Sequence, residues 1–271
     1  MLLDGESGGT YHAWRETTPV LKAELEQTGL FQVDVVTAPA SRGDFSGFKP
    51  DFAKYDVVVS NLDSPTWPAD LQTAFEQYIK GGGGFVSVHA ADNAFPDWVA
   101  FNEMIGVGGW RGRREQAGPH WFYKDGHMES DSSPGSAGSH GARLPFQVTA
   151  RVGDHPVMKG LPTVWMHAGD ELYANLRGPG QNMTVLATAH SDPANQGTGR
   201  DEPILMALSY GKGRIFHTTM GHDIPALSCA GFIVTLQRGT EWAATGKVTQ
   251  KIPADFPSAD KVSTREVALA K

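Results

Sequence analysis

A run of four glycines separates a helical pattern from a strand pattern, and this junction constrains the fold more than any other feature. Before the run, apolar side chains recur at positions i, i+3, i+4, i+7 and i+8: Leu71, Ala74, Phe75, Tyr78 and Ile79. This spacing predicts an amphipathic helix. Residues 85–88 follow the glycines as a short, mainly apolar run, which predicts a buried strand. The glycines therefore end a helix that leads directly into a strand.

The glycine run does not fit a phosphate-binding loop. Phosphate loops follow a strand and open a helix, so that backbone N–H groups point at the anion. In this chain the order is reversed, because the helix comes first and the strand last. Residues 81–84 are therefore predicted to stop the helix and to form a tight turn.

The order of the patterns in the first half of the chain predicts an α/β fold. A first strand ends near Leu3, and a helix is predicted to begin at Thr18 and Pro19. Further strands are predicted at residues 31–35 and 55–60. Strands that alternate with helices give a doubly wound, mostly parallel sheet with helices on both of its faces.

The second half of the chain is less regular. Its predicted strands are residues 146–152, 182–189, 203–209 and 214–218, the last two joined by a hairpin turn at residues 210–213. Residues 106–143 show little periodicity, and long irregular segments in compact domains are usually functional or mobile. No repeat or linker divides the chain. We predict one domain over residues 1–250, followed by a surface tail over residues 251–271.

Charge and cysteine content argue against several classes of protein. The formal net charge of −7 disfavours a general nucleic-acid binder, which needs a basic surface for phosphates. No apolar run reaches the roughly 18 residues that would indicate a membrane span. Cys229 is the only cysteine, so no intrachain disulfide can form. Residues 1–4 are too short for a signal peptide. We expect a soluble protein, either cytoplasmic or exported with its signal peptide removed. The sequence leaves open whether the chain forms a homo-oligomer.

Two histidines follow predicted strands at the points where those strands end. His89 comes directly after residues 85–88, and His222 follows the last predicted strand. In an open α/β sheet, ligands bind at the carboxyl ends of the strands. Asp92 lies within one turn of His89, and we expect its carboxylate to orient the imidazole. The alternatives are a hydrogen-bonded structural role for His89 and a helix cap at Asp223.

A third candidate is the stretch from Asp170 to Tyr173. Adjacent carboxylates point in different directions on an extended chain, so at most one of Asp170 and Glu171 faces a given pocket. Glu171 is predicted to be catalytic together with His89, Asp92 and His222. The alternative is an acidic turn on the surface.

The side chains predicted to contact substrate are His12, Trp14, Trp98, Arg111, Asp170, Tyr173 and Asp223. Aromatic rings beside carboxylates suit the faces of sugars, although such rings also pack loops down. If they converge, four residues would form a plausible set of ligands for zinc or manganese: His12, His89, Glu171 and His222. No short-range spacing such as His-Glu-x-x-His supports this set.

Covalent acyl-enzyme chemistry is not expected. The chain contains no Gly-x-Ser-x-Gly turn. Cys229 lies in a predicted helix with no obvious base beside it.

Several stretches occur in an order and spacing that resemble a known family. They are Gly82 to Asp92, Asp154-His155-Pro156 with Gly160-Leu161-Pro162, Asp170 to Tyr173, and Gly211 to Arg214 with Gly221-His222. Together they resemble the ThuA-like family, named for trehalose utilisation, over nearly the whole chain. The resemblance implies a fold like that of the class I glutamine amidotransferases, a flavodoxin-like doubly wound sheet.

The resemblance also bears on chemistry. In the glutamine amidotransferase superfamily the turn after the central strand carries a cysteine nucleophile, and His89 stands at the corresponding position here, so amidotransferase activity is not expected. The family implies sugar metabolism around trehalose and 3-keto-disaccharides. The positions that carry over are His12, His89, Asp92, Glu171 and His222. Residues 111–143 form a longer and more irregular segment than the family's shorter members have.

The leading hypothesis is an enzyme that acts on a small carbohydrate, a sugar or keto-sugar, by acid/base proton transfer. His89 would be the main base or acid, oriented by Asp92. His222 or Glu171 would act opposite it, and Arg111 or a metal would stabilise the oxygen. The alternatives are a non-catalytic sugar-binding module and a metal-dependent sugar hydrolase.

Overall fold

The computed structural model describes residues 1–7, 9 and 11–266. Within these residues the strands form one eleven-stranded sheet. The strands are β1 (Leu2–Ser7), β2 (Val35–Thr37), β3 (Val57–Asp63), β4 (Gly84–Val88), β5 (His120–Lys124), β6 (His127–Asp131), β7 (Leu144–Ala150), β8 (Val164–Asp170), β9 (Met183–His190), β10 (Asp201–Tyr210) and β11 (Gly213–Thr218). The α-helices are α1 (Trp14–Glu26), α2 (Ala69–Gly81), α3 (Val99–Ile105), α4 (Ile224–Leu227) and α5 (Ala230–Thr245).

One half of the sheet is parallel. In the order β2-β1-β3-β4-β11, each strand pairs in parallel with the next. This order is consistent with a flavodoxin-like sheet in which β11 takes the place of the fifth strand. The predicted α/β class is confirmed, and the carboxyl ends of these five strands lie at the same edge of the sheet.

The other half is antiparallel, so the prediction of a mostly parallel sheet is wrong. β11 pairs antiparallel with β10, and antiparallel pairing continues through β9, β7 and β8. β5 pairs antiparallel with both β10 and β6. The predicted hairpin turn does join β10 to β11, and a hairpin reverses the chain direction. Alternation of strands with helices, on which the parallel prediction depended, stops after α3.

Helices cover both faces of the sheet, as predicted. Leu21 of α1 and Phe232 of α5 enter one apolar cluster, whereas Phe75 of α2 belongs to a second cluster. Neighbouring residues of β4 belong to different clusters: Phe85 to the second and Val86 to the first. This alternation is what a strand buried on both faces requires.

Several predicted boundaries are wrong. α1 begins at Trp14 rather than at Thr18, so Pro19 lies inside the helix at an exposed position. There the proline removes one helical hydrogen bond without disturbing the buried face. The strand predicted at residues 31–35 is shifted to β2, whose residues pair with β1.

Two strand regions were missed. The segment predicted to be irregular, residues 106–143, contains the β5–β6 hairpin. β8 was also missed, because no strand was predicted between residues 152 and 182. This strand lies at one end of the sheet path and pairs with β7.

The glycine run stops α2 as predicted. Gly82 has φ +119° and donates its N–H to Ile79, while Gly83 donates to Tyr78. Gly84 serves packing instead, since a Cβ there would lie 2.6 Å from the carbonyl oxygen of Ala243 on α5. β4 therefore approaches α5 more closely than any other residue at position 84 would allow.

Residues 258–265 lie against β8 and the segment before α5. Met166 donates its N–H to Ser258, and Arg265 donates to Ser228. Residues 267–271 of the predicted tail lie outside the described residues, and the division at residue 250 stays a prediction. Within the described part of the chain, no helix is long and apolar enough to cross a membrane.

Candidate functional site

Four side chains converge from the ends of four different strands. His12 lies between β1 and α1, His89 follows β4, Glu171 follows β8 and His222 follows β11. One potential ligand atom from each lies within 4.8 Å of the others. The structure therefore brings together the four residues that sequence reasoning grouped as possible metal ligands.

His89 is held in a fixed orientation. It has φ +47°, an uncommon left-handed conformation for a residue other than glycine, at the turn directly after β4. Its Nδ1 lies 2.7 Å from the carbonyl oxygen of Thr219. A carbonyl oxygen only accepts, so Nδ1 carries the proton and donates. Nε2 is therefore the atom that faces the cluster, 3.6 Å from Oε2 of Glu171.

Glu171 is the shared acidic partner of the cluster. Its Oε2 also lies 3.1 Å from Nδ1 of His222. Burial alone would raise the pKa of Glu171, but the contacts with His222 and His89 lower that pKa far below its usual value. Glu171 is therefore a carboxylate at neutral pH. Burial lowers the pKa of His89, but Glu171 and Asp170 outweigh it and raise that pKa above its usual value.

His12 completes the cluster as a neutral imidazole. Its ring centroid lies 5.1 Å from those of His89 and His222, which are 5.3 Å apart, and all three pairs are edge-on. Burial, together with the neighbouring His89 and His222, lowers the pKa of His12 to about 3. The neutral form is the one that binds a metal ion.

The donor set fits a divalent metal ion. Nε2 of His89 is buried and has no hydrogen-bond partner among the described residues. A histidine ligand typically donates its second ring N–H to a backbone carbonyl, as His89 does to Thr219. Three imidazoles and one carboxylate are ligands that zinc and manganese accept.

The cluster lies at a cleft of about 490 Å³. Its wall carries aromatic rings, since Tyr173 lies 4.2 Å from His89 and 4.5 Å from Trp110 between ring centroids. The lining residues are Glu6, Gly9, Tyr11, His12, Asp63, Asn93, Trp110, Arg111, His140, Glu171 and Tyr173. Arg111 pairs with Asp63, donating from Nε to the carboxylate and from Nη2 to the backbone carbonyl.

The structure places two predicted site carboxylates differently: Asp92, predicted to be catalytic, and Asp170, predicted to contact substrate. Asp92 does not orient His89, because it is wholly buried and its Oδ2 lies 3.3 Å from Nε2 of His217. Thr219 supplies the contact that was expected from Asp92. Asp170 is also wholly buried, so it lies behind the cleft rather than in it.

Three further predicted substrate contacts are not among the residues that line the cleft. Trp98 packs in the apolar core, with its ring 5.6 Å from that of Phe101. Trp14 lies on α1 under the guanidinium of Arg15. Asp223 caps α4 and pairs with Arg143 at 2.7 Å. Of the predicted substrate contacts, His12, Arg111 and Tyr173 do line the cleft.

Sequence reasoning missed several lining residues. Asp63 ends β3, so the rule applied to His89 and His222 would have found it. His140 comes from residues 106–143, the segment that showed little periodicity. Trp110 and Arg111 have φ +51° and +46°. No sequence pattern predicted this pair of left-handed residues.

Comparisons with known proteins agree with this fold. A sequence model of the ThuA family, described as trehalose utilisation, matches residues 2–243. A protein of Parabacteroides merdae ATCC 43184 described as ThuA-like is 46% identical, with a TM-score of 0.93. The match covers 97% of this chain and 96% of that one.

More distant structures share the fold alone. A ThuA-like protein of Bacteroides uniformis ATCC 8492 is 21% identical, with a TM-score of 0.56 and 92% of each chain covered. A β-galactosidase from Bacillus circulans sp. alkalophilus is 13% identical, with a TM-score of 0.50, over 90% of this chain and 30% of that enzyme. No curated protein matches the sequence. Because the family match spans most of the chain, the chain belongs to the ThuA (trehalose utilisation) family, and membership suggests a carbohydrate-related role.

Proposed function

We propose that the chain is a metal-dependent, carbohydrate-processing enzyme that acts on a sugar or keto-sugar by proton transfer. The observation that carries the proposal is the convergence of three imidazoles and one carboxylate within 4.8 Å beside the cleft. His12, His89, Glu171 and His222 would hold the cation. A bound divalent cation supplies Lewis acidity towards a sugar oxygen.

In this proposal His89 binds the cation rather than acting as the general base. Its Nδ1 donates to Thr219, so the lone pair of Nε2 is the one available for bonding, and in this proposal the cation takes that lone pair. Two other side chains face the same space. His140 donates from Nδ1 to the carbonyl of Gly141 and keeps Nε2 as an acceptor, 3.7 Å from Oε2 of Glu171.

Tyr173 is suited to the opposite role. Burial, with smaller contributions from Asp92 and Glu171, raises the pKa of Tyr173 well above its usual value. Its hydroxyl therefore stays protonated. It lies 3.3 Å from Nε2 of His12 in the structure, and in this proposal it turns to donate to a developing negative charge on a sugar oxygen. His140 as acceptor and Tyr173 as donor form the pair that proton transfer beside a carbonyl requires.

The rest of the cleft suits a sugar ring. Trp110 lines the cleft and offers an aromatic face, and the C–H face of a sugar packs well on such a surface. Arg111 and Glu6 also line the cleft and provide a donor and an acceptor for hydroxyl groups. The family's 3-keto-disaccharides carry both features, a ring face and a carbonyl.

The test combines elemental analysis with turnover of 3-keto-glycosides. We expect about one equivalent of zinc or manganese per chain, and turnover that is lost with a chelator and restored by that metal. Binding that changes tryptophan fluorescence without product on prolonged incubation would support a sugar-binding module instead. Turnover that persists in metal-free protein would contradict the role of the cation.

A further inference from the structure

The two loops that carry Glu171 and His222 come from strands that are not neighbours. Three strands, β10, β9 and β7, separate β11 from β8 in the pairing order. Among the described strands, no backbone ladder therefore fixes the end of β8 against the end of β11. The two side chains nevertheless lie 3.1 Å apart, so another contact must hold the loops together.

The carboxylate of Asp170 makes that contact. Its Oδ2 accepts the N–H of Gly221 at 2.7 Å, and its Oδ1 accepts the N–H of His222 at 3.1 Å. Oδ1 also accepts the N–H of Glu171 at 2.8 Å. One side chain thus binds the backbone of both loops, at or beside the two residues whose side chains meet.

The surroundings hold this carboxylate in place. Nε2 of His167 lies 2.9 Å from Oδ2, and both side chains are wholly buried. Gly221 has φ +112°, and a Cβ there would lie 3.0 Å from Phe232, so the loop that meets Asp170 depends on glycine. Hydrogen bonds to a charged acceptor in such surroundings are short and strong.

We propose that Asp170 is the positioning residue of the site, which sets Glu171 and His222 at the separation that a shared cation needs. The role of Asp170 in cation binding rests on the proposed function. Its role in holding the two loops together rests on the hydrogen bonds alone. It also explains why two adjacent carboxylates are present, since Glu171 faces the cluster and Asp170 fixes its position.

The experiment compares Asp170→Asn with Glu241→Gln. Glu241 is a matched control, because it is also a buried carboxylate that accepts the N–H groups of a loop, at Thr249 and Gln250, away from the cluster. Two quantities are measured in each protein: amide hydrogen exchange at residues 171, 221 and 222, and the affinity and absorption spectrum of added Co²⁺.

We expect Asp170→Asn to speed exchange at these three amides by tenfold or more, to weaken Co²⁺ binding by about 10–100-fold and to change the Co²⁺ spectrum. Glu241→Gln should leave all of these unchanged. Co²⁺ binding and amide protection equal to those of the unmodified chain in folded Asp170→Asn would overturn the inference.

Two outcomes separate this inference from the proposed function. If the unmodified chain binds neither Co²⁺ nor Mn²⁺, the proposed function fails, and the exchange measurement still decides whether Asp170 holds the loops. If Asp170→Asn does not fold, amide exchange in the unmodified chain is the deciding measurement. Amides of Gly221 and His222 that exchange as fast as those of an exposed loop would then overturn the inference.

Discussion

Nδ1 of His89 donates a 2.7 Å hydrogen bond to the carbonyl oxygen of Thr219. This bond joins the turn after β4 to the end of β11, two strands that pair in parallel. It fixes which ring nitrogen carries the proton, and it aims Nε2 at Glu171. The orientation of the imidazole is therefore set by the backbone of a neighbouring strand and does not depend on a second ionisable side chain.

The first prediction concerns His89 itself. His89→Ala removes one nitrogen from the cluster, so we expect the chain to retain little of its bound cation and turnover to fall by about 10²-fold or more. Elemental analysis and an assay with 3-keto-glycosides measure the two effects. The control is His190→Ala, because His190 is exposed and pairs with Asp201 away from the cluster. Equal losses in both variants would count against the assignment.

The second prediction separates two tryptophans. Trp110 lines the cleft, whereas Trp14 lies under Arg15 outside it. Trp110→Ala should raise the KM for a sugar substrate by about twofold to tenfold, as expected for loss of one aromatic contact, with little change in kcat. Trp14→Ala should change neither constant. If Trp14→Ala raised KM more than Trp110→Ala, the result would instead support Trp14 as the substrate contact, as the sequence suggested.

Two members of the cluster, His89 and His222, could be identified from the sequence because each follows a predicted strand. His89 and His222 end predicted strands of the parallel half, where the carboxyl ends share one edge of the sheet. Glu171 was selected without its strand, since β8 was not predicted. Its arrival at the cluster depends on antiparallel pairing between residues far apart in sequence, and such pairing leaves no local signal.

Partners of buried polar groups were harder to predict. Asp92 is three residues from His89, yet it faces His217, because the helical turn after β4 directs the two side chains differently. Trp98 was expected in the cleft, but its ring enters the apolar core. Sequence spacing gives the direction of a side chain only where the secondary structure is known. The conformations of these turns were not predicted.

The third prediction concerns Glu202 and pH. Burial raises the pKa of Glu202 to about 7, despite the hydroxyl of Thr198 and the N–H of Asn175. The folded chain therefore holds this proton more tightly than the unfolded chain, whose pKa is near 4.5. The contribution to stability is complete below about pH 4.5 and is lost as pH rises through 7. Its full size is about 3 kcal/mol at 1.36 kcal/mol per pKa unit.

Glu202→Gln removes this titration. We expect urea unfolding to show that the variant gains stability relative to the unmodified chain between pH 5.5 and pH 8.5. The difference between the two proteins isolates Glu202 from the other groups that titrate in this range. A stability difference that does not change with pH would refute the raised pKa.

The last prediction returns to the glycine run. Gly81 is the final residue of α2, and a Cβ there would meet no other atom within 4 Å. Gly81→Ala should therefore increase the free energy of unfolding by about 0.5–1 kcal/mol, because alanine restricts the unfolded chain and favours the helix. Gly84→Ala places a Cβ 2.6 Å from the carbonyl oxygen of Ala243, so β4 and α5 must separate. We expect a loss of about 1–3 kcal/mol. Urea unfolding of both variants measures the contrast, and a stable Gly84→Ala variant would show that the close packing of β4 on α5 is dispensable.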